Sequence, residues 1–164
     1  MTIRESPQIA RNYSAVWHIA AAAMLLAACT AKHEVVGGSA EMIANPVSYF
    51  EIPVTDMQRA IEFYQAVFQL PLARTTLDGH DMALFPFDEH GQGISGALAH
   101  GDSYVPAPSG PRIYFFVDDI DTILARVIEQ GGVIAYQKTQ VGQFWVAEFR
   151  DSEGNQIALS AASE

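Results

Sequence analysis

One cysteine, Cys29, stands in a chain of 164 residues, and a lone thiol can form no internal disulfide. Basic residues are scarce too: nine Lys and Arg against nineteen Asp and Glu give a formal net charge of −10. That balance argues against nucleic acid and against an electrostatic grip on anionic lipid; what remains is solubility or a cationic partner. Long apolar runs are missing as well. The Ala/Leu-rich stretch 15–28 falls short of the roughly 20 residues a membrane-spanning helix needs. What the chain does hold is 49% hydrophobic residues, enough for one sizeable core and one expected domain.

The apolar stretch 15–28 follows Arg4 and Arg11 and ends in Leu26-Ala27-Ala28-Cys29. Charged start, apolar middle and small-residue end are the pattern of an export signal. The ending resembles a bacterial lipobox. That resemblance implies a signal peptide over 1–28, a lipidated Cys29, a flexible tether over 29–44, and a place in the bacterial cell envelope, on the periplasmic side of the outer membrane in a Gram-negative cell. The alternatives are an ordinary signal sequence with Cys29 as a small apolar residue, or translation from Met42. Loss of residues 1–28 removes Arg4, Arg11 and Glu5 and leaves a net charge of −11.

Beyond residue 44 the chain repeats itself. Val54/Val117, Asp56/Asp119, Gly79/Gly142, Asp88/Asp151 and Gly91/Gly154 all recur at one offset of 63 residues. The same offset carries Ile52 onto Phe115, Ile61 onto Leu124 and Ile94 onto Ile157, so apolar positions meet apolar positions. Each copy opens with period-two alternation: Phe50, Ile52 and Val54 in the first, Ile113, Phe115 and Val117 in the second, which predicts strands. Asp56 and Asp119 then cap predicted helices over 57–69 and from Ile120 to the Gly131-Gly132 stop. Three short strands follow each helix, over 72–77, 80–87 and 93–100, then over 133–139, 143–150 and 156–160. The predicted fold is α+β, two βαβββ repeats that form a cupped mixed β-sheet, with halves at 45–100 and 112–162 and a Pro/Gly-rich linker at 101–111.

Paired βαβββ units, with Phe50-Glu51-Ile52-Pro53-Val54-Thr55-Asp56, Arg59-Ala60-Ile61-Glu62-Phe63-Tyr64, Phe116-Val117-Asp118-Asp119 and Asp151-Ser152-Glu153-Gly154-Asn155, resemble the vicinal oxygen chelate superfamily. This is the glyoxalase, bleomycin-resistance and extradiol dioxygenase group, and the resemblance covers 45–162. It implies ligand positions for a divalent metal on the first and last strands of each half. Those positions fall on Tyr49, Ser95, Arg112 and Ala158. Arginine offers no lone pair, alanine no donor atom, and a hydroxyl alone is a poor ligand, so neither metal nor other cofactor is expected.

Strand alternation puts Tyr49, Glu51, Arg112, Tyr114, Gln156 and Ser160 on the faces opposite the helices, and with Ser95 these are the candidate ligand-binding residues. Glu51 and Arg112 are expected to pair, either within a binding site or as a structural ion pair filling a closed cup. His80, His90 and His100 sit in or beside turns and read as surface residues, while Trp145 and Phe149 alternate with Ala147 as core. Three functional classes follow. First comes a metal-free module that binds a small molecule in the cup. Second is a glyoxalase-type lyase, isomerase or dioxygenase-related enzyme with an atypical site, in which Glu51 takes a proton and Tyr49 or Arg112 steadies the oxyanion. Third is an envelope interaction protein whose cup is filled. A homodimer is compatible with each of them.

Overall fold

Alternation and capping carry directly into architecture in the computed structural model, which describes residues 46–163. Cys29, the signal and tether segments and Met42 lie outside the described residues. Strand β1 (Phe50–Pro53) leads into helix α1 (Met57–Phe68), then β2 (Ala73–Leu77), β3 (His80–Leu84) and β4 (Gly96–His100). The second copy runs β5 (Tyr114–Phe116), α2 (Ile120–Glu129), β6 (Val133–Val141), β7 (Phe144–Arg150) and β8 (Gln156–Ala162). Each half is thus βαβββ, and each makes a four-stranded mixed sheet, ordered β1-β4-β3-β2 and β5-β8-β7-β6. First and last strands pair in parallel; the remaining pairs are antiparallel.

Both helices start as the sequence directs. The Asp56 carboxylate accepts from the Arg59 N–H and that of Asp119 from the Asp121 N–H, satisfying donors that a first turn leaves open. Met57, Ala60, Ile61, Tyr64 and Val67 of α1 are buried, as are Ile120, Ile123, Leu124 and Val127 of α2. These stripes join Ile52, Leu98, Phe149, Ile157 and Leu159 from the helix-facing sides of both sheets in one core. An aromatic cluster packs against it. Phe115 of β5 stacks on Phe68 of α1 at 4.6 Å between centroids and touches Phe50, Tyr64 and Phe85, all from the first half. Gly96 makes room for this group, since a Cβ there would lie 2.1 Å from the Phe50 carbonyl oxygen. The halves therefore join through their helix-bearing sides.

A polar clasp reinforces that junction. Glu153, in the β7–β8 turn, accepts from the Thr55 N–H (2.9 Å), the Thr55 hydroxyl (2.7 Å) and the Asp56 N–H (3.0 Å) at the start of α1. Arg59 donates to it through Nε and Nη2, each at 2.8 Å. Beneath, the buried Tyr64 hydroxyl donates to Asp151 at 2.8 Å, and Asn155 donates to Asp151 and to the Pro53 carbonyl.

The repeat is not uniform. Hairpin β2–β3 closes between Leu77 and His80 around Asp78 and Gly79, both at positive φ, whereas β6–β7 closes between Val141 and Phe144. These closing pairs lie 64 residues apart, so the Gly79/Gly142 match is displaced by one residue from the structural equivalence.

Candidate functional site

Because Phe115, Leu159 and Ala147 of the second sheet point into the core, their neighbours point away from it. Register aligns two rows on that outward face: Tyr114, Ala158, Glu148 and Tyr136, then Phe116, Ser160, Val146 and Thr139. Tyr114 is 53% exposed and Phe116 66%, and Tyr136, Val141 and Phe144 are exposed beside them. A contiguous aromatic face left open in this way commonly marks a binding surface. Its floor is small, with alanine at 158 and serine at 160.

One end of this face meets a pocket of about 250 Å³ at the boundary between the halves. Glu51 and Pro53 of β1, Arg112 and Ile113 before β5, and Asn155, Gln156 and Ile157 at the start of β8 line it, with linker residues Val105, Ala107 and Ser109 forming one wall. Arg112 Nε donates to Glu148 Oε2 at 3.1 Å, and the Gln156 amide donates to the same oxygen. Arg112 Nη1 also holds the Gly110 carbonyl at 3.0 Å. This trio is partly exposed, so pocket and aromatic face share one polar corner.

The expected pairing of Glu51 with Arg112 does not form. Arg112 faces Glu148, and Glu51 accepts instead from the Tyr104 hydroxyl of the linker at 2.8 Å. The reason is local: β7 lies beside β8 and delivers Glu148 to the guanidinium, while the linker folds back over β1. Of the candidate residues, Glu51, Arg112 and Gln156 gather at the pocket. Tyr114 and Ser160 lie on the outward face; Tyr49 precedes β1, and the Ser95 hydroxyl donates to the Phe85 and Pro86 carbonyls. His90 and His100 are exposed, but His80 is half-buried and meets the Tyr104 ring edge-on at 5.3 Å. Sequence reasoning missed Tyr104, Glu148 and Asn155. Alternation with Ala147 and Phe149 does set Glu148 outward, which is the one signal that pointed to it.

The metal positions that the resemblance implies do not fit a metal. Arg112 is a cation already bound to Glu148, Ala158 has no donor, and Ser95 is spent on backbone carbonyls. Among the described residues, no group of three or more His, Cys, Asp or Glu is placed to hold one. A second cavity, of about 470 Å³ near the start of α2, contains Asp118, Lys138 and Trp145. Within its lining Lys138 lies 5.3 Å from the centre of the Trp145 ring and pairs with Asp121 at 2.6 Å.

Comparison with known proteins agrees with the fold. Residues 47–159 match the family model of the Glyoxalase/Bleomycin resistance protein/Dioxygenase superfamily. Among solved structures, TnmS3, an antibiotic binding protein from Streptomyces sp. CB03234, is 25% identical, with 74% of this chain and 99% of that one covered at a TM-score of 0.55. A glyoxalase family protein from Bacillus cereus is 19% identical (77% and 100% covered, TM-score 0.59). A family enzyme from Burkholderia phytofirmans PsJN is 16% identical (70% and 97% covered, TM-score 0.56). No curated protein matches. With its two βαβββ halves and a family match spanning both of them, the chain belongs to the glyoxalase/bleomycin resistance protein/dioxygenase superfamily.

Proposed function

We propose that this protein binds a small molecule and holds it unchanged, using the boundary pocket and the aromatic outward face that continues from it. The observation that carries this reading is the shared corner, where Arg112, Glu148 and Gln156 bring charge and hydrogen bonds to the edge of an apolar wall. Apolar area supplies affinity and a few placed polar groups supply orientation. A pocket of about 250 Å³ is slightly small for a whole ligand, since such sites usually enclose about 300–1,000 Å³. The open face is therefore part of the site, and a second copy of the chain is the cover we propose for it. Family kinship to an antibiotic binding protein supports binding over turnover. In the acid–base alternative Glu51 would take the proton, but its carboxylate already accepts from Tyr104, and Arg112, one of the two oxyanion groups, is held by Glu148.

A thermal-shift screen of small planar molecules tests the reading. Hits should raise the melting temperature, survive excess chelator and be recovered chemically intact. Hits that chelator abolishes, or that emerge transformed, would favour the enzyme, and an empty screen would favour the filled-cup interaction protein.

We further propose that Cys29 anchors the domain to the cell envelope through lipid. The wild-type protein should then sediment with membranes, and Cys29→Ser should be released or retain its signal peptide. A soluble wild-type protein with an unmodified thiol would defeat the proposal.

A further inference from the structure

The linker 101–111 forms one wall of the boundary pocket, yet it is held by little. Every residue of it is exposed or half-buried, and Val105 is 72% exposed. Few buried apolar contacts mean a low free energy of local opening. Apart from the Arg112 bond to the Gly110 carbonyl at its far end, two polar pins close it: the Ala107 N–H donates to Asn155 Oδ1 at 3.2 Å, and the Tyr104 hydroxyl donates to Glu51 Oε2 at 2.8 Å. The Tyr104 ring is seated against the edge of His80, with its plane 87° from the imidazole plane. Gly101 permits this approach, because a Cβ at that position would fall 2.5 Å from His80 Nδ1. Burial and the bond to Glu51 both raise the Tyr104 pKa, with the bond as the larger cause, so the phenol keeps its proton and remains a donor.

From this arrangement we infer that Tyr104 is a displaceable internal ligand: its phenol caps Glu51, whose carboxylate lines the pocket, and the molecule that replaces it is an aromatic ring bearing a hydroxyl donor. The inference rests on the binding reading above and adds to it a ligand class and a gate. Glu51 supplies a carboxylate acceptor, and a charge-assisted bond from O–H to carboxylate is stronger than a neutral one. His80 supplies an edge for the ring, an arrangement that aromatic pairs favour. An entering phenol finds both groups once the linker swings out, and loses nothing that Tyr104 had.

p-Cresol reproduces the tyrosine side chain and serves as the probe. Titrated against the purified full-length protein by calorimetry, it should bind Tyr104→Ala at least tenfold more tightly than wild type. In Tyr104→Ala it should outcompete toluene about tenfold, and Glu51→Gln in that background should erase the preference. In the wild type, saturating p-cresol should speed amide exchange at Ala107, whose pin to Asn155 is released with the linker. Tyr104→Phe keeps the ring in place and serves if the alanine variant fails to fold: freed of its internal donor, Glu51 should then bind p-cresol several-fold more tightly than in wild type. Equal affinity in wild type and both variants, no preference over toluene, or exchange at Ala107 that p-cresol leaves unchanged would each overturn the inference. A p-cresol failure alongside hits in the general screen retires the phenol and the gate alone. An empty screen retires the binding reading itself.

Discussion

Replacing Glu153 by Gln is expected to destabilise the domain by about 3 kcal/mol, the upper end for losing hydrogen bonds to a charged, solvent-screened carboxylate. Its side chain is fully screened from solvent, and its two oxygens receive donors from Thr55, Asp56 and Arg59. An amide at that position can keep its oxygen for the Thr55 and Asp56 N–H groups only by turning its NH₂ toward Arg59 Nε, which leaves a donor facing a donor. The turn carrying Glu153 belongs to the second half and the groups it binds to the first, so the loss falls on the junction. For a domain of this size about 3 kcal/mol corresponds to a fall of roughly 10 °C in melting temperature, read by calorimetry or circular dichroism. A shift of under about 2 °C would show that the clasp contributes nothing net.

The same carboxylate fixes a pH dependence. Bonds from Arg59, Thr55 and Asp56 outweigh the opposing effect of burial and hold the Glu153 pKa at about 2, below its ordinary 4.5. A folded value depressed below the unfolded one stabilises above the unfolded pKa, and that contribution is lost as pH falls from 4.5 through about 2. Arg59 is half exposed, so solvent screens part of the effect and we set it at about 2 kcal/mol at neutral pH. Asp151 acts with the opposite sign. Burial is the main cause of its raised pKa, so its contribution is greatest at low pH and declines as pH rises past its ordinary value of 3.8. The gap in melting temperature between wild type and Glu153→Gln should accordingly be wide at pH 7 and narrow toward pH 3.

How much of this was legible in the sequence depended on range. Period two in Phe50, Ile52 and Val54, and the aspartates ahead of each helix, are local signals, and the strands and caps formed where they pointed. The 63-residue offset also assigned the faces of β1 and β5 correctly, since Ile52 and Phe115 both face the core, but its Ile94/Ile157 match fails, because Ile94 precedes β4 and is exposed whereas Ile157 is buried. It misplaced the β6–β7 hairpin by one residue because turn glycines need not occupy equivalent turn positions. The partners of Arg112 and Glu51 were harder to read. Alternation sets both outward, but which carboxylate meets the guanidinium depends on β7 lying beside β8, and which donor meets Glu51 depends on how the linker folds back. Glu153 was legible as a turn residue and no further, because its partners lie 94 or more positions away.

The second large effect sets neighbours on β5 against one another. Phe115→Ala is expected to cost about 3 kcal/mol, the low end of the range for truncating a core phenylalanine, because Phe115 is half-buried. Phe115 lies at the centre of the aromatic cluster, stacked on Phe68 and touching Phe50, Tyr64 and Phe85, so its removal empties the joint between the halves. Tyr114→Ala and Phe116→Ala, one residue to either side, delete rings that are 53% and 66% exposed. Their stability should change by no more than about 0.5 kcal/mol, as for surface substitutions away from special features. Function should reverse the order. If the outward face holds the ligand and is covered by a second copy, the two exposed replacements weaken ligand binding about tenfold or more and lower self-association in sedimentation, losses that cannot be ascribed to unfolding. Denaturant melts of the three variants, with binding measured on the two that remain folded, make the comparison. Unchanged binding and association in both Tyr114→Ala and Phe116→Ala would remove this face from the site and confine the ligand to the boundary pocket.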